Sequence, residues 1–388
     1  MAKRRGHGEG GIYQRESDGK WCASVDLGFV NGKRRRKVMY GTTRKEVADK
    51  LKALHRDQAT GLNIAPEQQT VAQYLDRWLD TIITPHRRPK TAASYAQIVR
   101  LYLKPYLGQH QLVKLTPEHI QLMLNRLLED GGVHGESLST QTVHYVHSVL
   151  RRALNQALKW GSVTRNVAVL VDPPRVEKHS ISVLTPEQGQ RLLTAAAGHR
   201  LEALYTVALL LGLREGEVLG LRWSDIDFTA HTLRVGQTVQ RVSGRLLLAP
   251  PKTESSKRLL PLPMKVERAL ARHAERQEEE RAAWGEGWNA AGLVFPSEVG
   301  TPIEPRNLVR HFKTLLQRAD LPNIRFHDLR HGCATVLMSQ GVHPRIVMEI
   351  MGHSQISVTM NTYGHVLPET QREAARLLDQ LYTEPDEE

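Results

Sequence analysis

Two cysteines in 388 residues, Cys22 and Cys333, are too few for a disulfide framework or a four-cysteine zinc site. Long apolar runs are missing as well, and none approaches the ~18 residues that a membrane-spanning helix requires. The opening residues, MAKRRGHGEG, hold no apolar stretch of the kind a secretory signal carries. Carboxylates are scattered, so no cluster suggests a two-metal nuclease. Together these absences predict a soluble intracellular chain, expected in the cytoplasm.

Hydrophobic residues make up 40% and charged residues 24%, a balance that suits folded domains rather than a disordered chain. At this length two or three domains are expected. Lys and Arg number 53 against 41 Asp and Glu, for a net charge of +12, and the excess is uneven. Residues 1–56 carry 15 basic and 6 acidic side chains, whereas residues 369–388 carry 2 and 7. A basic front end suits a polyanion, because Lys and Arg displace the counterions condensed along phosphates. A solubilising surface is the plainer reading, but the size of the skew favours nucleic acid.

The first block, residues 1–62, reads as a three-stranded sheet followed by a helix. Residues 11–14 are a short strand candidate, and Asp18-Gly19 is a turn signal before residues 21–27, which alternate with the strand period. Asn31-Gly32 is the strongest short hairpin signal in the chain and leads into residues 33–40. Thr43 is placed to cap a helix to about Asp57, with Glu46 closing a capping box and Val47, Leu51 and Leu54 facing the sheet. Five consecutive cations, Lys33, Arg34, Arg35, Arg36 and Lys37, fall on the last strand, where they predict a basic sheet face laid into a DNA groove. Residues 6–11 match the dinucleotide fingerprint GxGxxG, which needs a strand before it and a helix after it. Here a strand follows, and the match is rejected.

The second block, residues 68–165, reads as helical throughout. Thr70 caps a segment with Val71, Tyr74, Leu75, Trp78, Leu79 and Ile82 at helical spacing. Thr91 opens another, with Tyr95, Ile98, Val99 and Tyr102, expected to end before Pro105. Thr116-Pro117-Glu118 combines a cap, a first-turn proline and an acidic first turn. Ser139 begins a fourth helix, with Val143, Val146, Leu150 and Leu154 on one face. Four such helices can bury a core as an independent bundle. Residues 166–183 read as a linker, after which Thr185-Pro186-Glu187-Gln188 restarts a helix and opens the third block, residues 184–388.

That block carries the chemistry. Arg214 and Glu217 lie three apart on one helical face, which alone reads as an ion pair. A hairpin follows, with a strand over 233–242, a turn at Ser243-Gly244 and a strand over 245–249. Lys252 sits in a basic loop, 251–258, ahead of a strand over 259–262. His327 and Arg330 are again three apart, within His-Asp-Leu-Arg-His. Gly352-His353-Ser354 comes next, and ten residues past His353 stands Tyr363.

Taken together, these residues resemble the tyrosine recombinase (phage integrase) family. Its pattern is an Arg, a Lys on a β-turn, His-x-x-Arg, a His or Trp, and a nucleophilic Tyr. Arg214, Lys252, His327, Arg330, His353 and Tyr363 fill it in order, without a departure. The resemblance covers the third block and, more loosely, the second, while the first looks like the arm-type DNA-binding domain that integrases often carry. It implies three parts: a small α+β domain over 1–62, an all-α helical-bundle core-binding domain over 68–165, and a mainly α catalytic domain with a small β-sheet over 184–388. It also implies a site-specific recombinase that cleaves and rejoins double-stranded DNA through a covalent 3′-phosphotyrosine. Such enzymes integrate and excise a mobile element, a phage or a conjugative transposon, at core and arm sites. They work as homotetramers on two duplexes, with accessory DNA-bending or directionality proteins and with no metal, ATP or other cofactor. Glu217 is implied as support, orienting Arg214 or His327. The alternatives are a chromosome-dimer resolvase or type IB topoisomerase, and a DNA-binding regulator of the same fold that does not cleave. The basic first block speaks against a resolvase, and the pairing of Tyr363 with Lys252 speaks against a mere binder.

The chemistry fits on its own terms. Phosphoryl transfer needs an in-line nucleophile, neutralised equatorial oxygens and a proton for the leaving oxygen. Two guanidiniums can clamp the non-bridging oxygens in fork geometry. A phenol with an ordinary pKa of ~10 needs a cationic site to attack as phenolate. Lys252 can protonate the leaving 5′-oxygen, and His327 and His353 can hydrogen-bond the phosphate and assist proton transfer. His327 and His331, four apart, imitate a zinc pair, but Asp328 stands where that motif has Glu, and helix packing is the preferred reading of His331. Tyr382 is the rival nucleophile, in an acidic tail with no basic context. Ala374, Ala375, Leu377, Leu378 and Leu381 form an apolar stripe in that tail, suited to packing on its own domain or against a neighbouring one.

Overall fold

The computed structural model describes residues 11–30, 33–59, 69–132, 134–177, 182–251, 256–289 and 291–363, with 375, 376, 378, 379 and 382. It divides into two units, residues 1–177 and 178–388. Among the described residues no helix is long and apolar enough to cross a membrane.

Strands β1 (Ile12–Gln14), β2 (Trp21–Val30) and β3 (Lys33–Gly41) form an antiparallel sheet in that order. The register sets Ile12 beside Ala23 and Ala23 beside Met39, so these share the face covered by helix α1 (Arg44–Ala59) through Val47 and Leu51. The Leu54 side chain and the Asn31-Gly32 turn lie outside what the structure describes. The pleat divides Arg36 and Lys37, the described end of the basic run, between two faces. Lys37 pairs with Val25 on the covered side, while Arg36 pairs with Asp26 on the open side with exposed Val38 and Tyr40. Successive side chains on a strand cannot share a face. Thr43 caps α1 as expected, its Oγ1 accepting from Glu46 N at 3.2 Å, but the other half of the box is shifted, because the Glu46 carboxylate closes on Thr42, one residue earlier.

Helix α2 (Val71–Trp78) starts at the expected Thr70 cap, which forms a capping box with Gln73, and runs through a π-helical turn, Leu79–Ile83, into α3 (Thr84–His86). Helix α4 (Pro89–Ile98) runs likewise through Val99–Leu103 into α5 (Lys104–Leu107). Two expectations are corrected here. Pro89 rather than Thr91 opens α4, since proline at the first position has its φ pre-set and needs no N–H partner. The helix also passes Pro105 instead of ending before it. Pro85 and Pro105 each follow a π turn, whose wider ring makes room at the carbonyl four residues back, where the pyrrolidine would clash. Helices α6 (Pro117–Glu129) and α7 (Thr140–Lys159) complete the bundle. Its core joins Tyr74, Trp78, Leu103, Leu124 and Leu150. Val167, Ala168 and Val171, read as linker, pack into that core, and buried His147 meets the Ala168 carbonyl at 2.8 Å.

The second unit opens with α8 (Pro186–Ala196), capped by Thr185 as expected. Helix α9 (Glu202–Leu211) is apolar around most of its circumference and lies at the centre of the core. Short α10 (Glu215–Leu219) leads to two small sheets, β4 (Ile226–Asp227), β5 (Thr232–Val235) and β8 (Arg258–Pro261), and β6 (Thr238–Val242) with β7 (Arg245–Ala249). The continuous strand expected over 233–242 is thus broken at Gly236-Gln237 into strands of different sheets, and the Gln237 side chain bonds to the Gly220 carbonyl at 2.5 Å. Ser243 and Gly244 have φ of 46° and 83°, as a tight hairpin turn needs. Helices α11 (Met264–Trp284), α12 (Pro305–Arg318), α13 (Asp328–Ser339), α14 (Pro344–Met351) and α15 (Ile356–Tyr363) complete the unit.

Candidate active site

Four of the candidate residues meet where α14 ends. Gly212 terminates α9 in the left-handed region (φ 58°), and the extended chain after it delivers Arg214 to the cap of α10. A side chain at Gly212 would be strained, and its Cβ would lie 2.7 Å from Met351 Cε. Gly352 ends α14 in the same conformation (φ 62°). The last carbonyls of a helix have no partner within it and carry the negative end of its dipole. At α14 three consecutive carbonyls are each taken by an arginine from a different element. Arg258 Nε donates to Ile350 O at 2.6 Å, Arg330 Nη2 to Met351 O, and Arg214 Nη2 to Gly352 O at 3.1 Å. Arg330, only 2% exposed, also donates to Gly212 O at 2.8 Å, so it ties the two glycine turns together.

Glu217 lies beneath this cluster at 3% exposure. Its carboxylate accepts from Arg214 Nη1 at 2.6 Å, from the Arg214 backbone N–H at 3.0 Å and from Arg258 Nη2 at 3.0 Å. Burial raises its pKa, but Arg258 and Arg214 outweigh burial and hold the carboxyl below its ordinary value.

The two imidazoles are pushed the other way. Burial first, then Arg330 and Arg214, lowers His353 to about 4. His327, at the start of α13, is lowered to about 4 by burial and by His331, Arg330 and Arg214. His327 is the more exposed of the two, so solvent screens it better. The His327 and His331 rings meet edge-on with centroids 5.1 Å apart. His353 Nδ1 lies 2.9 Å from the hydroxyl of fully buried Thr359, on α15.

Tyr363 is the last residue of α15, one turn beyond Thr359. Its side chain, and all of Lys252, lie outside the described residues, but Lys252 belongs to the loop joining β7 to β8. Lys33, Arg34, Arg35, Arg36 and Lys37 lie on β3 in the first unit. Tyr382 is 81% exposed.

Arg258 and Thr359 escaped the sequence reading. For Arg258 a signal existed: it shares strand parity with buried Leu260 and Leu262, and an inward arginine calls for a buried acid. Thr359 offered none beyond its place one turn before Tyr363.

Residues 182–370 match the phage integrase family, and residues 70–128 match the N-terminal SAM-like domain of phage integrases. An integrase of Streptomyces ambofaciens is 32% identical over 396 residues, covering 98% of both chains. The chain belongs to the phage integrase family of tyrosine recombinases. A XerC-like tyrosine recombinase of Caldanaerobacter subterraneus subsp. tengcongensis is also 32% identical, over 91% of this chain and 93% of the relative. The structure of the Tn1549 transposon integrase with circular intermediate DNA superposes with a TM-score of 0.67 at 22% identity. That match covers 80% of this chain and 99% of the other, and it establishes the tyrosine recombinase fold. As a family member this integrase is a tyrosine-type site-specific recombinase that acts on DNA.

Proposed function

We propose that Tyr363 attacks the scissile phosphate of a mobile element's attachment site, with Arg214 and Arg330 neutralising the non-bridging oxygens. The phenolic oxygen forms the new bond to phosphorus as the bond to the 5′-oxygen breaks. Lys252 gives that oxygen its proton, and a neutral imidazole, His327 or His353, takes the proton from the phenol. Reversal by a different 5′-hydroxyl rejoins the strands. The phosphodiester energy is kept in the phosphotyrosine, so the cycle needs no ATP. What carries this reading is the convergence of Arg214, Arg330 and His353 at the end of α14, with Tyr363 closing the next helix.

The full-length integrase of Streptomyces ambofaciens and the Tn1549 integrase on circular intermediate DNA favour integration and excision over dimer resolution. The basic first block, residues 1–62, would bind separate arm sites, and residues 68–165 would hold the core site. Exchange of two pairs of strands requires four nucleophiles, hence a tetramer on two duplexes. The apolar stripe of the tail would dock on a neighbouring protomer and couple the subunits.

The general-acid role is tested with a duplex carrying the junction of the element's circular form. Lys252→Ala should slow cleavage by roughly 10²–10⁴ on an ordinary phosphodiester. A 5′-bridging sulfur leaves without a proton, so the same variant should then cleave at nearly the wild-type rate. Equal loss on both substrates would remove Lys252 from the role of acid.

A further inference from the structure

We propose that Arg258 is a positioning residue, holding Glu217 and the Ile350 carbonyl so that Arg214 and His353 keep their register at the phosphate. The proposal rests on the active-site reading above. One guanidinium, with its side chain 7% exposed, serves three acceptors: Glu217 Oε2 at 3.0 Å and Ile350 O at 2.6 Å on two separate segments, and the neighbouring Ser256 O at 3.1 Å. Ile350 lies three residues before His353, so the same side chain fixes the end of α14.

Charge gives a second reason. Arg214 paired with Glu217 alone would be a neutral couple, and a buried carboxylate would draw off the charge that a phosphate needs. A second guanidinium leaves the triad with a net positive charge. Glu217 can then orient Arg214, through both its backbone N–H and its side chain, without cancelling it. Arginine suits this post because its planar fork serves three acceptors in fixed directions, whereas an ammonium is a point charge on a flexible stem. Arg258 acts through Glu217 and Ile350, so its effect falls on cleavage rather than on recognition of the duplex.

The test uses the full chain and a nicked duplex carrying the element's circular junction, with covalent adduct formation followed in a single turnover. Arg258→Lys keeps the charge but loses the fork. It should leave DNA affinity and Tm near wild type and slow adduct formation roughly 10–100-fold, the scale of a small misplacement of reacting groups. Arg258→Met combined with Glu217→Gln should cleave no more slowly than Glu217→Gln alone, because the two residues act as one unit. Wild-type cleavage by Arg258→Lys would overturn the proposal. So would losses that multiply in the double variant, or a fall in Tm and DNA affinity in step with cleavage. Should Arg258→Met not fold, the Lys variant with Glu217→Gln completes the cycle. A Tyr363→Phe control that still forms adduct would instead bring down the active-site reading itself, an outcome separable from any behaviour of Arg258.

Discussion

His327 and His353 each lie near two guanidiniums, where a third or fourth positive charge would be repelled. With both rings lowered to about 4, they are neutral at pH 7 and suited to proton transfer. The unfolded chain titrates them near ~6.5. Below that pH the unfolded state binds protons that the native state refuses, so stability is full above about 6.5 and falls as pH drops toward 4. The urea midpoint should therefore be lower at pH 5 than at pH 7.5. His199, His273, His311 and His331 are lowered too, so a His327→Asn/His353→Asn variant should decline less steeply rather than not at all. An unchanged slope would show that these two rings titrate normally. At this scale the sequence revealed the residues but not their state. Arg214, His327, Arg330 and His353 stand in short motifs, whereas the neutrality of the imidazoles depends on neighbours brought together only by folding.

Thr359 joins two elements that the motifs treat as separate. Its hydroxyl meets His353 Nδ1, and its helix ends in Tyr363. That bond holds the ring's orientation and ties the turn after α14 to the helix bearing the nucleophile. Thr359→Val keeps the shape and loses the hydroxyl, so it should cost about 1 kcal/mol of stability. It should also slow single-turnover cleavage several-fold, and Thr359→Ser should restore most of the rate. A Val variant that cleaves as fast as wild type would make the contact purely structural. Elements with strong local signals were legible: the caps at Thr70, Thr116, Ser139 and Thr185 all begin helices where expected. Boundaries set by tertiary context were not. Pro105 reads as a stop because nothing in a sequence announces a π turn, and the 233–242 segment reads as one strand because its two halves pair in different sheets, the first with β4 and β8 and the second with β7.

Across the whole molecule, charge and periodicity divide the chain into a basic first block, a helical second and a motif-bearing third. The structure divides into two units, residues 1–177 and 178–388, and the helical core extends through Val171 into the expected linker. What the chain could not disclose is how the third block closes its site: three arginines on three carbonyls of one helix end, over a single buried glutamate. All of this geometry has a purpose only if Tyr363 becomes covalently joined to DNA. The decisive measurement is mass spectrometry of the tryptic peptide that carries a nucleotide after reaction with a nicked duplex bearing the element's junction. The account predicts the modification on Tyr363, linked through a 3′-phosphate, and no adduct from Tyr363→Phe despite undiminished binding. Modification of Tyr382 or of any other residue, or an adduct of equal yield from the Phe variant, would contradict it.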